Sequence, residues 1–245
     1  MNTITIVGLG PGPVAQLTKE AEQALLSVEK VFLRTSAHPV HGWLVEHGKH
    51  VVCFDRLYTL PWKAGGDIYE FMVSALLKET ELRGSVTYAL PGSPVFLEDT
   101  TMLLRQKAAA AGAQIRLVHG LSFIEVALAQ LNHDCAEGLQ VVLPWTHLES
   151  GRFTPKLALL VCRIGAQQLP EDDLKVDLTM QWLLRSYPAN HPVTLVWTDG
   201  FPDYCTQTLQ VELRDLVREH GKLKYHSASL DLEPVSASLY VPSLT

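Results

Sequence analysis

The sequence predicts an α/β protein of two domains whose N-terminal sheet is mostly parallel. Apolar runs typical of strands alternate with stretches of helical periodicity from the first residues onward, a pattern typical of βαβ units. The 245 residues are 47% hydrophobic and 19% charged, which is the composition of a folded globular protein. Gly-rich loops follow several of the predicted strands, at the edge where open α/β sheets bind their ligands.

The first half of the chain contains the regular alternation. Apolar runs predict strands at 4–8, 31–33, 51–54, 86–90 and 115–118. Apolar residues at helical spacing predict helices at 18–28, 68–83 and 98–111. Thr18 is a good N-cap for the first helix, and Gly84 and Gly112 follow the ends of the other two. This regular run ends near His119–Gly120, so we predict domains at 1–119 and 120–245.

The second half is less regular. It opens with a predicted helix at 122–131, which is followed by irregular sequence through residue 152. Further elements are predicted as strands at 157–164, 193–197, 207–213 and 236–241, a helix at 172–185 and a short helix that ends by Gly221.

Composition excludes several classes of function. The net charge of -6 comes without any basic run, which argues against binding to nucleic acid or to an anionic membrane surface. The longest apolar run, 157–162, is too short to span a bilayer. Cys53, Cys135, Cys162 and Cys205 form no CxxC pair, so neither a structural zinc site nor a redox dithiol is indicated. Without a signal peptide at the N-terminus, we expect a cytoplasmic protein.

The first loop, residues 8–13, reads Gly-Leu-Gly-Pro-Gly-Pro after the first strand. Glycines there let the backbone approach a ligand closely. A dinucleotide fingerprint fails because Pro13 stands where the third glycine is required, and the chain contains no phosphate P-loop motif. A tight structural turn is the alternative interpretation.

Two further loops have the same character. The second loop, residues 91–96, reads Pro-Gly-Ser-Pro-Val-Phe, and Val95 rules out the GxSxG motif of hydrolases. The third loop, residues 119–122, reads His-Gly-Leu-Ser, in which Ser122 could cap the following helix. Taken alone, each could be an ordinary strand-to-helix loop.

Together, the order and spacing of the three loops resemble the tetrapyrrole (corrin/porphyrin) methylase superfamily of S-adenosylmethionine-dependent methyltransferases. The resemblance continues through 160–165, 192–196 and 238–242, and therefore covers essentially the whole chain. The ending resembles most closely the methylase half of methylase–MazG fusion proteins, which implies a MazG-type domain C-terminal to this chain. The implied fold has two α/β domains with the cofactor in a cleft between them.

The resemblance also implies the cofactor-binding residues. They are Pro11 of the first loop, Gly92, Ser93 and Phe96 of the second, Ser122 and Phe123 at the third, and Ile164 and Asp199 in the second half. The chain departs from the family pattern at Ser93, where an aspartate is usual, and at His119, where a proline is usual. Loss of the carboxylate removes a strong acceptor for a cofactor ammonium or hydroxyl group.

No catalytic residue can be assigned from the sequence. Arg34, Asp55 and Tyr58 lie near strand ends and are candidates for a base. The four histidines at positions 38, 41, 47 and 50 share no evident face, so we expect surface or supporting roles and no metal site.

The predicted function is methyl transfer from S-adenosylmethionine to an acceptor that the sequence does not identify, a tetrapyrrole or another small molecule or a peptide. One alternative is a non-catalytic regulatory domain that binds the cofactor, which Ser93 favours. Another is a nucleotide-dependent oxidoreductase, which Pro13 disfavours. The resemblance implies a homodimer, and we expect Trp43, Trp62 and Trp182 to contribute to its interface.

Overall fold

A computed structural model describes residues 2–58, 68–165, 170–198, 205–220 and 237–244. The chain divides into two compact units, Met1–Phe123 and Ile124–Thr245. Each unit contains a five-stranded sheet. Among the described residues, no helix has both the length and the apolar character that crossing a bilayer requires.

The sheet of the first unit is entirely parallel, as predicted. Its strands are β1 (Asn2–Gly8), β2 (Lys30–Leu33), β3 (His50–Cys53), β4 (Ser85–Leu90) and β5 (Ala113–Val118). Their spatial order is β3-β2-β4-β1-β5. The first, second and third loops therefore follow three adjacent strands, β1, β4 and β5, and leave the sheet at the same edge.

Helices cover both faces of this sheet. They are α1 (Lys19–Leu26), α2 (Pro39–Glu46), α3 (Asp55–Tyr58), α4 (Ile68–Arg83) and α5 (Asp99–Lys107). The predicted cap of α1 is confirmed, because Thr18 Oγ1 accepts a hydrogen bond from the Ala21 amide at 3.1 Å. Helix α5 ends before its predicted boundary because the chain turns after Lys107 and closes that turn with Gly112 at φ +65.

The first core lies on both sides of the sheet. On β1, Ile4 and Ile6 pack in the cluster beneath α4 and α5, whereas Val7 packs in the cluster beneath α1 and α2. Burial on both faces explains why β4 is buried at every position from Val86 to Leu90 and not at alternate positions.

The sheet of the second unit is mixed. The elements from residue 123 onward are α6 (Phe123–Leu131), β6 (Leu139–Val142), β7 (Ala158–Gly165), α7 (Pro170–Leu183), β8 (Pro192–Thr198), β9 (Thr206–Glu212), α8 (Leu216–His220) and β10 (Ala237–Val241). The strand order is β6-β7-β10-β8-β9, in which β6 and β7 are parallel and the other pairs antiparallel. Strand β6 was not predicted within the less regular sequence before residue 152, because four residues are too few to show a period.

A β-bulge interrupts the pairing of β7 with β10. Val161 pairs with Leu239 and Gly165 pairs with Ala237, so β7 holds more residues than β10 between the two pairs. Arg163 within this stretch has φ +59, a left-handed conformation that is uncommon for a residue with a side chain.

Candidate functional site

The backbones of the first and second loops are joined by a pair of hydrogen bonds. Gly92 N donates to Gly10 O at 2.7 Å, and Gly10 N donates to Gly92 O at 3.2 Å. Gly10 and Gly92 have φ of +78 and +73, respectively. Both loops therefore need glycine at the point where they meet, because left-handed φ is costly for other residues.

The third loop approaches the same point. A Cβ built on Gly8 would lie 2.6 Å from Gly120 N and 2.7 Å from Gly92 O. A Cβ built on Gly120 would lie 2.5 Å from the carbonyl carbon of Gly8 and 2.6 Å from Gly92 O. Only residues without a side chain permit these contacts at positions 8 and 120, and the carbonyl oxygen of Gly92 is the third member of the contact. We call this junction of backbone groups from Gly8, Gly92 and Gly120 the glycine junction.

Side chains also hold the third loop in place. Thr18, whose hydroxyl caps α1, donates from the same oxygen to His119 O at 3.0 Å. The rings of Phe96 and Phe123 are in contact with centroids 5.5 Å apart, which joins the end of the second loop to the start of α6.

The structure brings six of the eight predicted cofactor residues to this region. Pro11, Gly92, Ser93, Phe96, Ser122 and Phe123 lie on the three loops or directly after them, and all are half-buried. Ile164 belongs to the second unit, on β7, and its side chain is fully buried in the core of that unit. Any role for it rests on its backbone and stays a prediction. Asp199 lies outside the described residues.

A buried polar network lies at the same edge of the sheet, after β2. Arg34 forms an ion pair with Glu98, whose residue surface is 5% exposed. The Arg34 Nε donates to Tyr58 Oη at 3.0 Å, and its guanidinium lies over the ring of Tyr69. Because Arg34 is paired with a carboxylate, its cation is fixed in place and is not a candidate base.

Glu98 extends this network into the core. Its second carboxylate oxygen accepts hydrogen bonds from the amide and the hydroxyl of Thr100, so it also caps α5. The Thr100 hydroxyl lies 3.2 Å from Tyr88 Oη. Burial, with the Glu98 charge as a second cause, raises the pKa of Tyr88 well above its ordinary value, so this phenol stays protonated. Glu98 was not predicted from the sequence. The only local indication of its role is that a carboxylate stands directly before a helix.

Asp55, the acidic candidate for a base, stabilises a loop. Its carboxylate accepts from Thr35 Oγ1 at 2.7 Å and from the Ser36 amide at 2.9 and 3.0 Å. These bonds fix the chain directly after β2, and they assign to Asp55 a structural role in that loop.

The four clustered histidines differ in their surroundings. His38 is buried and contacts Gly10, whereas His47 and His50 are exposed. In the part of the chain that the structure describes, no group of three or more His, Cys, Asp or Glu side chains could hold a metal ion.

Comparison with known proteins places this chain in a family. Residues 3–216 match the family described as Tetrapyrrole (Corrin/Porphyrin) Methylases. The uncharacterized protein YabN of Bacillus subtilis (strain 168) is 29% identical over 197 residues, which are 80% of this chain and 38% of YabN. The chain therefore spans well under half the length of that relative.

Solved structures share the fold. Uroporphyrin-III C-methyltransferase from Thermus thermophilus superposes with a TM-score of 0.68 at 19% identity and covers 99% of this chain and 92% of its own. The methyltransferase CobJ gives 0.67 at 14% identity, with coverage of 99% and 95%. The cobalt precorrin-4 methyltransferase CbiF gives 0.63 at 17% identity, with coverage of 98% and 94%.

The resemblance drawn from the three loops is thus confirmed, and the chain belongs to the tetrapyrrole (corrin/porphyrin) methylases, a family whose methyl donor is S-adenosylmethionine.

Proposed function

We propose that this chain transfers the methyl group of S-adenosylmethionine to a small-molecule or peptide acceptor, and that the three loops bind the cofactor. The glycine junction carries this proposal. It brings together backbone groups from three adjacent strands at the edge of a parallel sheet, where such folds bind ligands. Acidic residues for a ribose are not needed if backbone groups make most of the contacts.

The residues present fit such a cofactor. A Cβ built on Gly92 would meet no atom within 4 Å, so the second loop has open space beside its backbone. The Gln16 side-chain oxygen, in the turn that packs against Gly10, is buried without a hydrogen-bond partner among the described residues. Buried polar atoms are normally satisfied, so a donor from a bound molecule or from a water is expected there.

Methyl transfer requires little chemistry from the protein itself. Bound S-adenosylmethionine would supply an electrophilic methyl group on its sulfonium sulfur, and an acceptor lone pair would form the new bond to carbon as the carbon–sulfur bond breaks and S-adenosylhomocysteine leaves. The chain's part is to align donor and acceptor and to exclude water. The ring pair of Phe96 and Phe123 is suited to an apolar wall, and the paired Arg34 and Glu98 add no net charge beside the loops.

A second candidate is a regulatory domain that binds the cofactor without turnover. Ser93 favours it, because a neutral hydroxyl replaces the carboxylate of the family pattern. The match covers 38% of YabN, which leaves room in that protein for a further domain. From the resemblance to methylase–MazG fusion proteins, we propose that such a domain is of the MazG type. We retain this as the alternative.

Incubation with S-adenosylmethionine labelled with tritium on the methyl group separates the two candidates. Uroporphyrinogen III and a metabolite and peptide extract serve as acceptors, and Gly92→Val serves as the control protein. We expect label in an acceptor with the unaltered chain and none with the control. Tight cofactor binding without label in any acceptor would favour the regulatory candidate.

We also propose a homodimer, which rests on the family resemblance. The tryptophans support a dimer interface less than expected. Trp182 packs in the core of the second unit, and Trp62 lies outside the described residues. Phe71, Leu82 and Met102 of the first unit are exposed and offer apolar surface for an interface.

A further inference from the structure

A buried histidine in the connection between β2 and α2 contacts the first loop. His38 is 6% exposed and lies at the start of α2. Its Nδ1 accepts a hydrogen bond from the Val40 amide at 3.3 Å, and its Nε2 lies 3.1 Å from Gly10 O. Because Nδ1 is the acceptor, the proton of the neutral ring is on Nε2, which donates to the Gly10 carbonyl.

The carbonyl oxygen of Gly10, in the first loop, has two hydrogen-bond donors. It accepts from His38 Nε2 and also from Gly92 N at 2.7 Å, so two donors hold one oxygen. This carbonyl belongs to the peptide group that joins Gly10 to Pro11, and a peptide group is planar. Fixing the oxygen therefore fixes the orientation of the Pro11 ring, which the resemblance assigns to the cofactor.

We infer that His38 is a positioning residue for cofactor binding: its Nε2–H···O bond to Gly10 holds the Gly10–Pro11 peptide in the orientation that the cofactor requires. This inference rests on the proposed role of the three loops. It goes beyond that role by assigning a function to a side chain that lies outside the three loops, at the start of α2.

His38 makes two bonds, and two substitutions separate them. In His38→Asn, the side-chain oxygen stands near the position of Nδ1 and still accepts from Val40 N, and asparagine is a favoured N-cap, but the amide is too short to reach Gly10. In His38→Gln, the side-chain NH₂ stands near the position of Nε2 and can donate to Gly10, while the cap is lost. Each variant keeps one of the two bonds, so similar losses of thermal stability are expected.

Titration of the full chain with S-adenosylhomocysteine tests the inference. We expect His38→Asn and His38→Ala to weaken binding by about fivefold or more, the worth of one hydrogen bond, and His38→Gln to stay within about twofold of the unaltered chain. Thermal unfolding of each variant checks that Asn and Gln lose similar stability. Equal affinities of the Asn and Gln variants, whether both unchanged or both weakened, would overturn the inference alone. Absence of binding by the unaltered chain would overturn the proposed function beneath it.

Discussion

Gly8 and Gly120 approach so closely that a Cβ on Gly120 would lie 2.5 Å from the Gly8 carbonyl carbon. Gly8 ends β1, and Gly120 lies just after β5, the adjacent strand, which is far from β1 in the sequence. Their contact explains why the first and third loops both need glycine at the sheet edge, and Gly92 O completes the junction from the second loop. The glycine pattern of the sequence is therefore a consequence of backbone packing as well as of ligand access.

Substitution at the junction should destabilise the fold. In Gly120→Ala, the new methyl would meet Gly8 and Gly92 backbone atoms that cannot move aside independently. We expect a loss of about 2 kcal/mol in the free energy of unfolding, measured by urea denaturation. The control is Gly42→Ala in α2, where a Cβ meets nothing within 4 Å. It should stabilise the chain by about 0.5–1 kcal/mol. Equal effects of the two substitutions would contradict the close contact.

Gly92→Val should abolish cofactor binding in a folded protein. The Cβ of the valine would meet no protein atom within 4 Å, so the main cost to stability is the strain at φ +73. The side chain instead fills the space beside the second loop. Gly48→Val is a matched control, because Gly48 has φ +70, an equally open Cβ position and a place in the turn after α2. Both should lose similar stability, and only Gly92→Val should lose affinity. If Gly92→Val bound the cofactor with the affinity of the unaltered chain, the second loop would not be part of the binding site.

Ser93→Asp restores the residue usual in the family. We expect affinity for S-adenosylmethionine to be unchanged or to increase, up to about tenfold, because a carboxylate accepts charge-assisted hydrogen bonds. Ser85→Asp, at the exposed start of β4, controls for the added charge. Isothermal titration gives both affinities. Complete loss of binding in Ser93→Asp would count against the proposed place of this residue.

Buried His38 should make stability depend on pH. Desolvation, partly offset by the Gly10 hydrogen bond, lowers the pKa of His38 to about 4 from 6.5. Below about pH 6.5, the unfolded chain therefore binds a proton that the folded chain does not, and stability falls as the pH drops toward 4. Between pH 7 and pH 5, the His38 contribution should be a loss of about 2 kcal/mol. In urea denaturation, the free energy of unfolding of His38→Gln should fall by about 2 kcal/mol less than that of the unaltered chain over this pH range. An equal fall in both proteins would show that His38 does not titrate in this way.

Much of the first unit could be predicted because its signals are local. Helix α4 has the predicted bounds, and the Thr18 cap follows from residue type and spacing alone. The strand β6 was missed because four residues between irregular turns carry no period.

The site could be predicted only in part. The loops were found because glycines at strand ends are visible in sequence, and the family resemblance added the cofactor. The Arg34–Glu98 pair and the His38–Gly10 bond join residues from different βα units. Which residues of different βα units come into contact depends on the order of the strands in the sheet. The spacing of residues along one sequence does not reveal that order.

Isothermal titration of the full chain with S-adenosylmethionine and with S-adenosylhomocysteine tests the central claim most directly, with NADH as the comparison ligand. We expect both to bind with Kd in the micromolar range, roughly −8 kcal/mol, and NADH to give no heat. Binding of NADH, with neither heat nor thermal shift from the two cofactor compounds, would contradict the account.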